Sequence, residues 1–167
     1  MDGVKIPLKR FILLEECPPE WKEMDLYLFR DGQTVFYVGQ STSAFRRVWR
    51  HILSGYKARS DVGRFLLCNW PKSMNFEIEL FSSRSPEFLK AEGDLASAET
   101  MLIRQHHPCF NELLNADPVS LPAGYLPPSA PIRCSRRLKQ LQYQATIAIR
   151  NEEKKNWIES SAGPAGG

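Results

Sequence analysis

Two periods of hydrophobic and polar residues run along this chain. Residues 25–30 and 34–38 are rich in aromatic, aliphatic and β-branched side chains and flank Asp31-Gly32, so the pattern predicts an antiparallel hairpin closed by a short turn. On a pleat of period two, Tyr27 and Phe29 point one way and Leu26 and Leu28 the other, and Tyr37 alternates with Phe36 and Val38. Residues 75–81 alternate strictly, with Phe76, Ile78 and Leu80 on one face and Glu77 and Glu79 on the other, which predicts a third strand with one solvated face. Three strands make a minimal sheet that needs helices packed on it.

Helical spacing begins after Gly39. Residues 36–56 read as a short strand, a glycine turn and a helix whose apolar face is Phe45, Val48, Trp49, Ile52 and Tyr56; Arg46, Arg47, Arg50 and His51 fall on the opposite arc. Residues 60–70 predict a second short helix ended by Pro71. Ser85-Pro86-Glu87 has the form of a helix start, Gly93-Asp94 interrupts that helix, and Asp94 caps a further segment over residues 95–106. The stripe of that segment is Leu95, Ala98, Leu102 and Ile103, with Glu99 between Leu95 and Leu102. A carboxylate beside a core is costly unless it is paired, protonated or bound to a cation.

The predicted fold class is thus α/β of the α+β type: a small three-stranded, mostly antiparallel sheet flanked by helices. Residues 1–23 form an N-terminal arm or edge strand with an apolar run at residues 11–14, and residues 24–115 hold the hairpin, the third strand and their helices. Residues 116–135, dense in Pro, Ala and Ser, read as a linker or surface strap. Residues 136–159 predict an extra C-terminal helix with Leu138, Leu141, Ala145 and Ile149 on one side, and residues 160–167 a disordered tail.

At 167 residues the chain suffices for one core of ordinary size. It has no apolar run long enough to cross a bilayer and no convincing signal peptide, so a cytoplasmic location without membrane attachment is expected. Cys17, Cys68, Cys109 and Cys134 lack both paired spacing and a ligand cluster, and read as free thiols. His106 and His107 diverge in direction on a helix, which suits capping or phosphate contact better than a metal site. The net charge of +3 permits a nucleic-acid partner without arguing for one.

The polar residues that stand out are Tyr27, Tyr37, Arg47, His51, Glu99 and Asn111. Tyr37-Val38-Gly39 is followed by Arg47 and then His51. Glu99 opens a run that ends in Pro108-Cys109-Phe110-Asn111, and Asp25-Leu26-Tyr27 stands in place of a Gly-Ile-Tyr motif. In order and spacing these resemble the GIY-YIG nuclease family over residues 24–115, with spacing most like the N-terminal incision domain of the bacterial excision-repair nuclease. The resemblance implies the GIY-YIG fold and metal-dependent hydrolysis of phosphodiester bonds in DNA. It makes Glu99 the sole protein ligand of one Mg²⁺ or Mn²⁺ ion, and Arg47 the residue that holds the scissile phosphate. Tyr27 is the implied general base or water orienter, Tyr37 and His51 complete the network, and Asn111 fixes a phosphate or the tyrosine geometry. Gly39, Gln40, Arg46, Arg47, Arg50 and His107 are the implied DNA contacts. A catalytically idle nucleic-acid-binding module acting with a protein partner is the alternative, and Glu99 argues against it because a binder has no need of that carboxylate. The C-terminal helix offers a surface for a protein partner or self-association.

Overall fold

The structure is a computed structural model that describes residues 3–57, 59–91 and 94–162. Its sheet is antiparallel throughout and has four strands, β1 (Val4–Pro7), β2 (Leu26–Asp31), β3 (Thr34–Gln40) and β4 (Glu77–Phe81), in the order β1-β4-β2-β3. The sequence predicted three. The fourth is too short for periodicity to register: β1 pairs Lys5 with Glu79 and Ile6 with Ile78 along the free edge of β4 and stops at Pro7, which has no N–H for the ladder. The apolar run that follows is not a strand. Leu8–Phe11 forms a one-turn helix, α1, whose Phe11 is wholly buried together with Ile12, its C-cap.

The hairpin forms where expected, with one irregularity. Phe29 pairs with Tyr37 but Arg30 pairs with Val35, so Phe36 is the extra residue of a β-bulge. The bulge breaks the expected alternation and turns Phe36 and Tyr37 to the same face. Phe36 there meets Phe65 at 4.6 Å and Phe76 at 5.1 Å between ring centroids.

Helices cover both faces of the sheet. On the aromatic face, Tyr27, Phe29, Phe36, Phe76, Ile78 and Leu80 pack under α2 (Ala44–Ser54), α3 (Asp61–Cys68) and α1. On the other face, Leu26, Leu28, Val35 and Val38 meet Ala98, Leu102 and Ile103 of α4 (Leu95–His106). Glu79 lies on this second face and was expected to be solvated, yet it is only 3% exposed. A helical layer sits over it, and its charge is met by Arg30 at 3.3 Å and Lys5 at 3.4 Å. Glu77, on the same side of β4, is half-buried.

Pro86–Ala91 is a 3-10 segment kinked at Phe88 rather than an α-helix. Gly93 lies outside the described residues, and Asp94 caps α4 by accepting from the Ser97 N–H at 3.2 Å.

The chain after residue 115 straps the aromatic face. Tyr125 sits against Phe36 at 5.2 Å and donates to Asp31 at 2.6 Å, Asn69 brackets the backbone of Leu126, and Arg64 donates to the Pro128 and Ala130 carbonyls. The last helix, α5 (Leu138–Ser161), buries Leu141, Ala145 and Ile149, and Gln142 and Gln144 bond to the Ile12 carbonyl and the Trp70 indole. Residues 160–162, expected in a disordered tail, close this helix, with Ala162 as its C-cap; the rest of that tail, residues 163–167, lies outside the described residues. Among the described residues no helix is long and apolar enough to cross a membrane, and the four cysteines are free thiols.

Candidate active site

Ser43 starts α2, its hydroxyl accepting from the Arg46 N–H at 3.4 Å. The apolar face of the helix then packs as its spacing predicts, with Phe45, Val48 and Ile52 buried. His51 departs from the expected outward arc and is 8% exposed. The cause is the closeness of α3: a Cβ on Gly63 would stand 2.0 Å from the His51 carbonyl oxygen, so only glycine lets the two helices meet there. That approach brings the cap of α3, Ser60, onto the imidazole.

The result is a chain of polar groups that runs from the buried Tyr27 and His51 to the half-buried Ser60. The Tyr27 hydroxyl lies 2.8 Å from His51 Nε2, His51 Nδ1 lies 2.6 Å from Ser60 Oγ, and Ser60 Oγ accepts from the Gly63 N–H at 3.0 Å. Burial, reinforced by the charges of Arg47 and Arg50, pulls the His51 pKa down to about 4, so the ring is neutral near pH 7. A neutral imidazole has one donor and one acceptor nitrogen. With Nδ1–H donating to Ser60, the Nε2 lone pair faces the Tyr27 O–H and accepts its hydrogen bond.

Tyr27 is 1% exposed, and its ring lies across Gly39, its partner on β3. A Cβ on Gly39 would fall 2.3 Å from the phenol oxygen. Gly39 is therefore a strand residue that makes room for a ring; the expected glycine turn is absent because β3 runs on to Gln40. Burial raises the Tyr27 pKa, the neighbouring Tyr37 raises it further, and a hydrogen bond and the charge from Arg47 oppose both. Tyr37 is also raised, by burial and then by the charge of Glu99. The rings of Tyr27, Tyr37 and His51 stand 5.5–6.2 Å apart, centroid to centroid. Arg47 is half-buried beside them, acting on the pKa of all three.

Glu99 arrives from the opposite layer. It projects from α4 at the β3 edge, where its Oε2 accepts from Gln40 Nε2 at 3.1 Å. Gln40, expected among the DNA contacts, thus positions the carboxylate. Burial raises the Glu99 pKa, and among the described residues no cation pairs with it. It lines a cleft of about 400 Å³ with Tyr37, Asp61, Asn111 and Glu112. A half-buried carboxylate with a single neutral partner fits a hard divalent cation, which binds through one or two carboxylates and keeps its remaining places for water and phosphate oxygens.

Asn111 secures the β3 edge: its Oδ1 accepts from Val38 N–H and its Nδ2 donates to Val38 O, both at 2.9 Å. Of its two implied roles, this geometry serves the tyrosine beside Val38. Phe110 and Cys109 extend the same cover by donating to Phe36 and Val35. Asp25, in place of the motif glycine, accepts from the Ser83 N–H at 2.7 Å and from its hydroxyl at 2.6 Å, tying the start of β2 to the chain after β4.

The remaining expected contacts lie apart from this cluster. Arg46 and Arg50 are exposed on the other flank of α2, in a separate cleft. His107 is exposed and ends α4 in the left-handed conformation, φ 47°, beside Arg104. His106 turns toward Arg30 and Glu79, and burial lowers its pKa. Ser60, Asp61 and Glu112 had no place in the sequence-based site. Ser60 is legible as a helix start, but its contact with His51 depends on how two helices cross. Comparison of the chain with protein-family models, with curated proteins and with solved structures returns no match.

Proposed function

We propose that this chain is a divalent-cation-dependent endonuclease of the GIY-YIG type that hydrolyses phosphodiester bonds in DNA. The observation that carries the reading is the convergence at one sheet edge of the Tyr27–His51–Ser60 chain, Tyr37 and Arg47 from one layer with the unneutralised Glu99 from the other. Phosphodiester hydrolysis needs an attacking water that loses a proton and a fixed positive charge for the pentacovalent phosphate. Tyr27, whose hydroxyl proton is directed to the His51 Nε2 lone pair, turns its oxygen lone pairs to the attacking water and orients it as the water gives its proton to a phosphate oxygen, so a phenol whose pKa burial raises never has to ionise. The neutral imidazole, with its Nδ1–H donated to Ser60, fixes that orientation of the phenol. Arg47 meets the phosphate with its planar fork, two donors to two oxygens. A Mg²⁺ or Mn²⁺ ion on Glu99 would supply Lewis-acid stabilisation of the phosphate and leaving oxygens.

Nicking of supercoiled plasmid by the purified protein with Mg²⁺ or Mn²⁺ tests this. The wild-type chain is expected to nick and Glu99→Gln to be slower by at least about a hundredfold, with DNA affinity by anisotropy retained. Undiminished nicking by Glu99→Gln overturns the mechanism.

A further inference from the structure

On the flank of α2 away from Tyr27 and His51 lies a cleft of about 940 Å³, against about 400 Å³ at Glu99. Its floor is apolar, formed by Phe45, Trp49 and Leu53 of α2 and Leu138 at the start of α5. Trp49 is held in place by its indole N–H, which donates to the Leu14 carbonyl at 3.1 Å, and by Phe11 at 5.7 Å. Leu53 is 54% exposed although it faces a concave surface. The cations of the rim are Lys22, Arg46, Arg50 and Lys139, and among the described residues none of them forms an ion pair. Among the described residues Glu15 and Glu16 are the only acids that line it, so its lining is net positive.

An aromatic and aliphatic floor under a basic rim matches one form of nucleic acid better than the other. A duplex turns its base faces inward and offers phosphates, which the rim alone would satisfy. A single strand offers both phosphates and unstacked base faces, and the floor has a use only for the second. The groove and the cleavage cluster lie on two flanks of the same helix, since Arg46 and Arg50 alternate with Arg47 and His51 along α2. A strand held at Arg47 has one helix, about 10 Å across, to cross before reaching the groove. We infer that this groove binds the unpaired bases of a DNA strand that continues from the cleavage cleft, so that the preferred substrate is DNA with a single-stranded segment next to the cut. The inference rests on the nuclease reading above and adds the substrate class to it.

The test uses the full chain in EDTA, where nothing is cut, with fluorescently labelled DNA as a blunt duplex and as the same duplex carrying an oligothymidine overhang. The overhang is expected to tighten binding by about tenfold, the scale of one stacked base. Leu53→Glu and Lys139→Glu, substitutions at the groove surface checked by thermal melting, should bring that ratio to about one by repelling the strand. Equal affinity of the wild-type chain for both DNAs overturns the inference, as does a ratio that survives both substitutions and so assigns the groove to a different occupant, such as an acidic peptide. Plasmid nicking separates the two claims: nicking without an overhang preference sinks the groove alone, and a preference that the substitutions abolish in a protein that does not nick supports the groove and sinks hydrolysis alone.

Discussion

The two faces of the sheet are built from different materials. The face under α2 and α3 is aromatic and carries a polar chain, Tyr27–His51–Ser60, whose groups have buried partners but an opening at Tyr37 toward the cleft. The face under α4 is aliphatic, and its buried Glu79 has its charge met by Arg30 and Lys5. Both contain polar groups out of water; one arrangement is closed, and the other ends on an acceptor site and a lone carboxylate. A closed ion pair holds structure, whereas an open network has donors and acceptors left for a ligand. The candidate site therefore sits where the faces meet, with α2 against β2 on one side and α4 against the edge strand β3 on the other.

Four substitutions probe this contrast. Arg30→Ala leaves the buried Glu79 carboxylate to the exposed Lys5 alone, and unfolding titrations should show a loss of up to about 3–5 kcal/mol, with cleavage per folded molecule preserved. If Arg30→Ala stopped cleavage in a stable protein, the two faces would not differ in kind. For His51 the sign follows from its depressed folded pKa. The folded imidazole titrates near 4 and the unfolded one near 6.5, so the unfolded chain takes up the proton first as pH falls. The stability present above pH 6.5 is thus lost down to about pH 4, by up to about 3 kcal/mol at 1.36 kcal/mol per unit. His51→Gln should flatten that window, and an unchanged slope would place the acid sensitivity elsewhere. Arg47→Lys keeps the charge and loses the fork; nicking is expected to slow by about a hundredfold at an unchanged melting temperature, and near-normal rates would reduce Arg47 to a simple counter-charge. The smallest expected effect is Gly39→Ala, whose methyl meets the Tyr27 ring: about 1–3 kcal/mol of overpacking, accompanied by loss of nicking as the phenol shifts. A fully active Gly39→Ala would show that the Tyr27 position tolerates displacement.

Residue patterns determined a good part of this. The hairpin around Asp31-Gly32, the strand at Glu77–Phe81, the capped start of α4 at Asp94 and the buried stripe Leu141, Ala145 and Ile149 of α5 follow from local rules, since turn chemistry, alternation and capping act within a few residues. The set Tyr27, Tyr37, Arg47, His51 and Glu99 could be picked out by its order and spacing, as a resemblance to the GIY-YIG motifs, and within it Glu99 also stood out physically as a carboxylate beside an apolar stripe. Tertiary structure decided the rest. Val4–Pro7 is a strand only because β4 offers an unpaired edge, and Phe36 shares a face with Tyr37 only because a bulge adds a residue to β3. Glu79 is buried because a second layer covers the face that alternation left open. His51 turns inward to Ser60 because Gly63 lets α3 approach, and Gln40 reaches Glu99 because α4 crosses the end of β3. In each case the deciding partner lies outside the local window of the residue or on another element, and no local period carries that information.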